Sequence, residues 1–130
     1  MSSNTFADTL PSGYGYVLLS CVVLPTFTSL FMGDRVMRAR KALNINYPNL
    51  YAVPGFHDKA DDFNRVQRGH QNYLENIADF RFMALVGGLK HPFLCALSGL
   101  VYCLGSVLYQ KGYGSFCLLF IQFFLLLFSI

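Results

Sequence analysis

Apolar and polar positions along this chain fall into blocks rather than alternating. Three stretches contain no Asp, Glu, Lys or Arg: Thr9 to Gly33, Pro92 to Gln110 and Gly112 to Ile130. A helix that crosses a bilayer needs about 20 largely apolar residues, and each stretch supplies a run of that order. The apolar heart of the first runs from Tyr16 to Met32; Pro25 inside it predicts a kink, which a bundle tolerates because neighbouring helices re-satisfy the freed backbone groups. Pro92 stands where a proline suits the first turn of a helix.

Between the first two stretches, Asp62 to Leu89 carries Arg65, Arg68, Glu75, Asp79 and Arg81 before a clean apolar run from Phe82 to Leu89. The segment reads either as an amphipathic helix outside the bilayer or as a half-polar fourth span. The second reading completes a compact bundle with short returns, and it is preferred. The pattern therefore predicts an all-α integral membrane four-helix bundle, a single domain over 1–130 with helices near 14–42, 62–89, 92–112 and 115–130, shortened at its C-terminal end. The linker-like stretch is Asn44 to Asp62, where Pro48, Pro54 and Gly55 break any helix.

Composition agrees: 54% of residues are hydrophobic and 13% charged, against about 25% charged in an average soluble chain. A net charge of +3 with no long basic run argues against nucleic acid. Cys21, Cys95, Cys103 and Cys117 all lie in apolar stretches without CxxC spacing, which reads as small buried hydrophobes rather than disulfides or a metal site. No basic segment precedes a cleavage-like site, so the first apolar segment is expected to stay as an anchor. Arg35, Arg38, Arg40, Lys41 and Lys59 crowd the first connection, which places that loop in the cytosol, both chain ends opposite, and the turn near Lys111 on the cytosolic side.

Candidate chemistry lies on the second helix. Arg68, Asn72, Glu75 and Asp79 are spaced by four, three and four residues, one stripe on one face, with Arg65 a turn earlier. Ionisable side chains at membrane depth usually face a bundle interior or a water-filled cavity and mark a site. A guanidinium, an amide and a carboxylate in line suit a zwitterionic ligand bearing carboxylates and an ammonium. The bland alternative is that Arg68 and Glu75 only pair with each other or with a neighbouring helix. His70 has no partner at metal-ligand spacing and reads as a structural histidine, and His57 and His91 as loop residues. Tyr102, Tyr109 and Tyr113 form a second stripe on the third helix, either an aromatic belt or phenols pointing into the same crevice as Arg68.

Three segments carry a resemblance. FNRVQRGHQNYLE at Phe63 to Glu75, RARKALNINYPNLYA at Arg38 to Ala52 and VGGLKHP at Val86 to Pro92 resemble the microsomal glutathione S-transferases of the third type, a branch of the MAPEG superfamily. GLVYCLGSVLYQKGY at Gly99 to Tyr113 is similar to that family's third helix. The resemblance implies a homotrimer in the endoplasmic reticulum membrane, with the mitochondrial outer membrane as the alternative, and glutathione held between adjacent subunits near the cytosolic face. It carries glutathione binding onto Arg40, Arg68, Asn72, Glu75 and Tyr113, and a thiol hydrogen bond onto Tyr109 as the candidate catalytic contact. Where a leukotriene-C-synthesising relative has a tyrosine after the glutamate, this chain has Asn76.

The chain also departs from the pattern. In catalytic relatives an arginine in a basic segment after the third helix stabilises the glutathione thiolate, whereas no Lys or Arg follows Lys111 here. The resemblance therefore implies a glutathione transferase and peroxidase, with glutathione as co-substrate, acting without a metal on lipophilic electrophiles or lipid hydroperoxides drawn from membrane lipid. A non-catalytic MAPEG-type protein that binds lipid or a partner is the alternative. A third reading is a small structural membrane protein whose charges pair for assembly.

Overall fold

The computed structural model describes residues 9–112, and these form helices without a strand. Helix α1 spans Tyr14–Ala42, α2 spans Ala60–Gly88 and α3 spans Pro92–Lys111. The helix expected at 115–130, together with Tyr113 and Cys117, lies outside the described residues. Both α1 and α3 are long and apolar enough to cross a membrane by length and composition. The α2 helix has the length, 29 residues, but carries the charges noted above. It starts at Ala60 rather than 62, because Lys59 adopts a left-handed φ of 55° and Asp61 and Asp62 occupy the first turn, where carboxylates oppose the positive end of the helix dipole.

The expected irregularity at Pro25 takes a definite form. The backbone of α1 is α-helical over Tyr14–Leu18, π-helical over Leu19–Val23 and α-helical again from Leu24. Proline removes the amide that the Cys21 carbonyl would accept from, and its ring crowds that carbonyl; the preceding turn widens accordingly. Two polar side chains of α2 donate to α1 on either side of the break. The Tyr73 hydroxyl donates to the Pro25 carbonyl. Arg81 Nη2 donates to Thr26 Oγ1 at 2.7 Å and to the Val22 carbonyl at 3.4 Å, and Thr26 Oγ1 itself donates to that carbonyl at 2.8 Å.

Around this break sits the main core of Val17, Cys21, Met32, Tyr73, Phe80, Ala84 and Tyr102. Tyr102 stacks on Phe80 with ring centroids 4.0 Å apart and planes 6° from parallel, an arrangement that adds to the burial of both rings. Cys21 and Cys103 are buried free thiols and Cys95 is half-buried, in keeping with their reading as small hydrophobes. Helices α1 and α3 touch at Gly99, where a Cβ would stand 2.5 Å from the Ser20 carbonyl oxygen. Only a glycine lets the two backbones approach that closely, a device common where helices pack in membranes.

At the other end, Gln110 is 2% exposed and ties three helices together. Its Nε2 donates to the Met32 carbonyl at 3.1 Å and to the Val66 carbonyl at 3.4 Å, while its Oε1 accepts from Arg35 Nη1 at 3.3 Å. Its backbone lies against Gly69, where a Cβ would fall 2.9 Å from the Gln110 Cα.

The connection 43–59 is folded down by two polar clamps over a second cluster of Val36, Ile45, Ala52, Ala60 and Phe63. Arg40, 6% exposed, donates Nη1 to the carbonyls of Ile45 and Asn49 at 3.3 and 2.7 Å and Nη2 to that of Leu50 at 3.2 Å. Its guanidinium also lies over the rings of Tyr47 and Phe63, 4.5 and 5.1 Å from their centroids. Asn64 brackets Ala52, accepting from its amide at 2.8 Å and donating to its carbonyl at 3.0 Å.

Two outcomes follow for the fold. Gly99→Ala lowers unfolding stability in detergent by about 1–3 kcal/mol through overpacking, whereas Gly15→Ala, with nothing within 4 Å, does not lower it. Arg40→Ala removes charge-assisted bonds that contribute about 1.5–3 kcal/mol each at most. Hydrogen exchange then accelerates at the amides of 45–52 while those of α3 keep their protection; unchanged exchange in the loop would show that Arg40 does not hold it.

Candidate functional site

The α2 helix has two unlike faces. Gly69, Tyr73, Phe80 and Ala84 are buried against α1 and α3. The spacing of Arg68, Asn72, Glu75 and Asp79 places them on a different face, and Arg68, Glu75 and Asp79 are exposed. Among the described residues the stripe therefore faces outward, away from α1 and α3. Its physical reason is the competition for the single inner face, which the apolar and aromatic residues of α2 win because burying them needs no charge desolvation.

On the outward face, Arg68 Nη1 and Glu75 Oε1 are 3.3 Å apart, with side chains 45% and 48% exposed. An exposed pair of this kind contributes little to stability, on the order of 0–1 kcal/mol, and it exchanges readily for other partners. Asn72 is half-buried between them along the stripe. Its carbonyl accepts from Asn76 Nδ2 at 2.7 Å, which turns the Asn76 amide back onto its own helix. The arrangement offers, within two turns, a guanidinium, an amide and a carboxylate on one open surface.

The structure disperses the other expected contacts. Arg40 is turned into the loop and engaged on three backbone carbonyls of 45–50, not aligned with Arg68. This differs from the role the resemblance carries to it: its Nη1 and Nη2 donors go to carbonyls that the Pro-containing connection leaves without helical partners. Tyr102 belongs to the core between α2 and α3 and shares no crevice with Arg68. Tyr109 is half-buried and precedes Gln110, which lies against Gly69; it therefore stands level with Arg68 along the bundle. Arg65 is exposed at the start of α2, beside His57 and Gly55. His70 is half-buried against Gly33, its Nε2 without a hydrogen-bond partner among the described residues. No group of three or more metal-ligating side chains occurs among the described residues.

Three polar residues escaped the sequence reading. Gln110 ends a charge-free stretch, and nothing in the spacing marks an amide as a three-helix tie. Tyr73 and Arg81 were legible only as members of the helix; their roles depend on the break in α1, which lies nearly 50 residues before Tyr73 in the chain.

An open polar stripe on one helix, two apolar helices of membrane length and a break in α1 flanked by donors from α2 stand together in one bundle. No solved structure matches the chain. The pattern of the MAPEG family matches residues 17–128, which takes in α1 from Val17 onward, α2, α3 and the stripe. The chain is an all-α integral membrane bundle, and it belongs to the MAPEG family.

Proposed function

We propose that the chain is a membrane-bound glutathione transferase and peroxidase of the third microsomal type, seated in the endoplasmic reticulum membrane and assembled as a homotrimer. The observation that carries the reading is the outward Arg68–Glu75 pair with Asn72 between its members. Glutathione is a zwitterion at its γ-glutamyl end: its carboxylate replaces Glu75 as the partner of Arg68, its ammonium replaces Arg68 as the partner of Glu75, and the Asn72 amide takes a peptide group. Each half of the existing pair keeps a charged partner, so little desolvation cost is added on binding. Because the stripe faces out of its own bundle, a second subunit supplies the opposite wall.

The thiol then points along the bundle toward the level of Tyr109, whose hydroxyl donates to it. Attack of the thiolate on an electrophilic carbon forms the thioether as the leaving group departs with its electron pair or, at a conjugated carbon, as the displaced π pair takes up a proton; on a lipid hydroperoxide, two glutathiones give the alcohol, glutathione disulfide and water. A thiol of pKa about 8.5 is only a few per cent ionised at neutral pH without a cation beside it.

The second reading, a non-catalytic lipid- or partner-binding member, is favoured by one observation: residues 113–130 contain no Lys or Arg. The two are separated by stopped-flow thiolate absorbance on adding glutathione to the detergent-solubilised protein. Saturable binding with a thiolate signal supports the enzyme, binding without it supports the second reading, and the absence of both removes glutathione from the account. Arg68→Ala is expected to abolish glutathione binding, while Tyr102→Phe keeps the stacked ring and leaves it within about twofold; equal losses in calorimetric titration would make the stripe a packing feature.

A further inference from the structure

We propose that Asp79 of one copy and Arg81 of the next form an ion pair at mid-depth in the membrane, linking copies of this chain into a closed ring. The inference rests on the assembly of copies read above and names the contact that holds it. Arg81 reaches the groove between α1 and α2, where its donors meet only neutral acceptors, Thr26 Oγ1 and the Val22 carbonyl. Its Nε is buried without a partner among the described residues. Val22 and Thr26 flank Pro25, which lies near the centre of the apolar run Tyr16 to Met32. A guanidinium at that depth is costly unless an anion meets it.

Among the described residues, the chain's own acids do not supply that anion. Asp34 pairs with Arg38 and Glu75 with Arg68. Asp58, Asp61 and Asp62 lie at the opposite end of α2, about five turns away, Asp8 precedes α1, and residues 113–130 contain no acidic side chain. Asp79 remains, at nearly the same depth, since two residues rise only about 3 Å along a helix. It is exposed and forms no ion pair among the described residues. It cannot turn to Arg81 of its own helix, because positions i and i+2 point to nearly opposite sides.

One copy therefore presents a carboxylate on one side and a guanidinium on the other, at matching depth. Copies related by rotation about the membrane normal keep equal depth, so the Asp79 side of each meets the Arg81 side of the next, a head-to-tail contact that closes when the rotation does.

Native mass spectrometry of the full chain in mild detergent tests this. The unaltered chain is expected as a closed oligomer, with Asp79→Lys and Arg81→Glu each dissociating at least about tenfold more readily. A chain carrying both reversals regains the oligomer. Asp79→Asn, the gentlest change, is expected to weaken assembly as well, which covers the case in which a reversal fails to fold. An oligomer as stable in Asp79→Asn and in the single reversals as in the unaltered chain overturns the pair alone and leaves the glutathione reading standing. Failure of the double reversal to restore an assembly that the single reversals lose also overturns it. A monomeric unaltered chain with saturable glutathione binding overturns the ring and the shared wall together.

Discussion

The backbone break at Pro25 is the constraint on which the arrangement of the helices depends. Inside an apolar span, a carbonyl deprived of its helical donor finds no water and must be met by another part of the protein. Here α1 widens into a π-turn over Leu19–Val23, and three contacts fall on the residues around it: the Tyr73 hydroxyl on the Pro25 carbonyl, the Arg81 guanidinium on the Val22 carbonyl and Gly99 against Ser20. A slide of α2 by one turn would separate both donors from α1, and a side chain at Gly99 would hold α3 away. Register among the three helices is therefore set by polar satisfaction and close approach, since apolar contact alone is nearly indifferent to a slide in lipid.

Fixing α2 from its inner face determines what its outer face presents. With Tyr73, Phe80 and Ala84 committed to the core, the residues one step around the helix point away from it, and Arg68, Asn72, Glu75 and Asp79 have no alternative. Gln110 extends the same control to the far end by holding α3 against Gly69, the residue after Arg68. The position of Tyr109 relative to the stripe follows from a neutral amide bonded to backbone carbonyls, a link that is insensitive to pH and salt because it involves no titrating group in its bonds to α1 and α2.

Much of this was legible in the sequence, for identifiable reasons. Charge-free runs that stop at Lys90 and Lys111 locate the ends of α2 and α3, because a single Lys inside lipid is so costly, whereas α1 continues past Asp34 to Ala42. The stripe on α2 was legible because a period of three and four residues leaves little alternative to one helical face. What that face looks toward was not: hydropathy shows that Arg68 and Tyr73 lie on different sides of α2, but not which side the other helices cover. Arg40 shows the same limit. Its place at the end of α1 is plain, yet its partners are carbonyls of a non-helical connection, and backbone acceptors leave no mark in the side-chain sequence. Arg81 reads as one more charge in a half-polar segment until the break in α1 gives it Val22 and Thr26 as neighbours.

Binding and activation of a thiol ask different things of a protein, and in the proposed glutathione site they are separable. Binding needs complementary charges at fixed spacing, and Arg68, Asn72 and Glu75 sit on a single helix whose inner face holds it in place, so their mutual spacing is set within α2. Activation needs a cation at the sulfur in a site that excludes water, where one positive charge shifts the thiol toward thiolate. Among the described cations near that end, Arg40 is engaged on loop carbonyls and Arg35 on Gln110, each doing structural work that withdrawal toward a ligand would undo. On the proposed reading, affinity for the zwitterion and reactivity of its thiol rest on different groups, so loss of thiolate chemistry need not be accompanied by loss of the site.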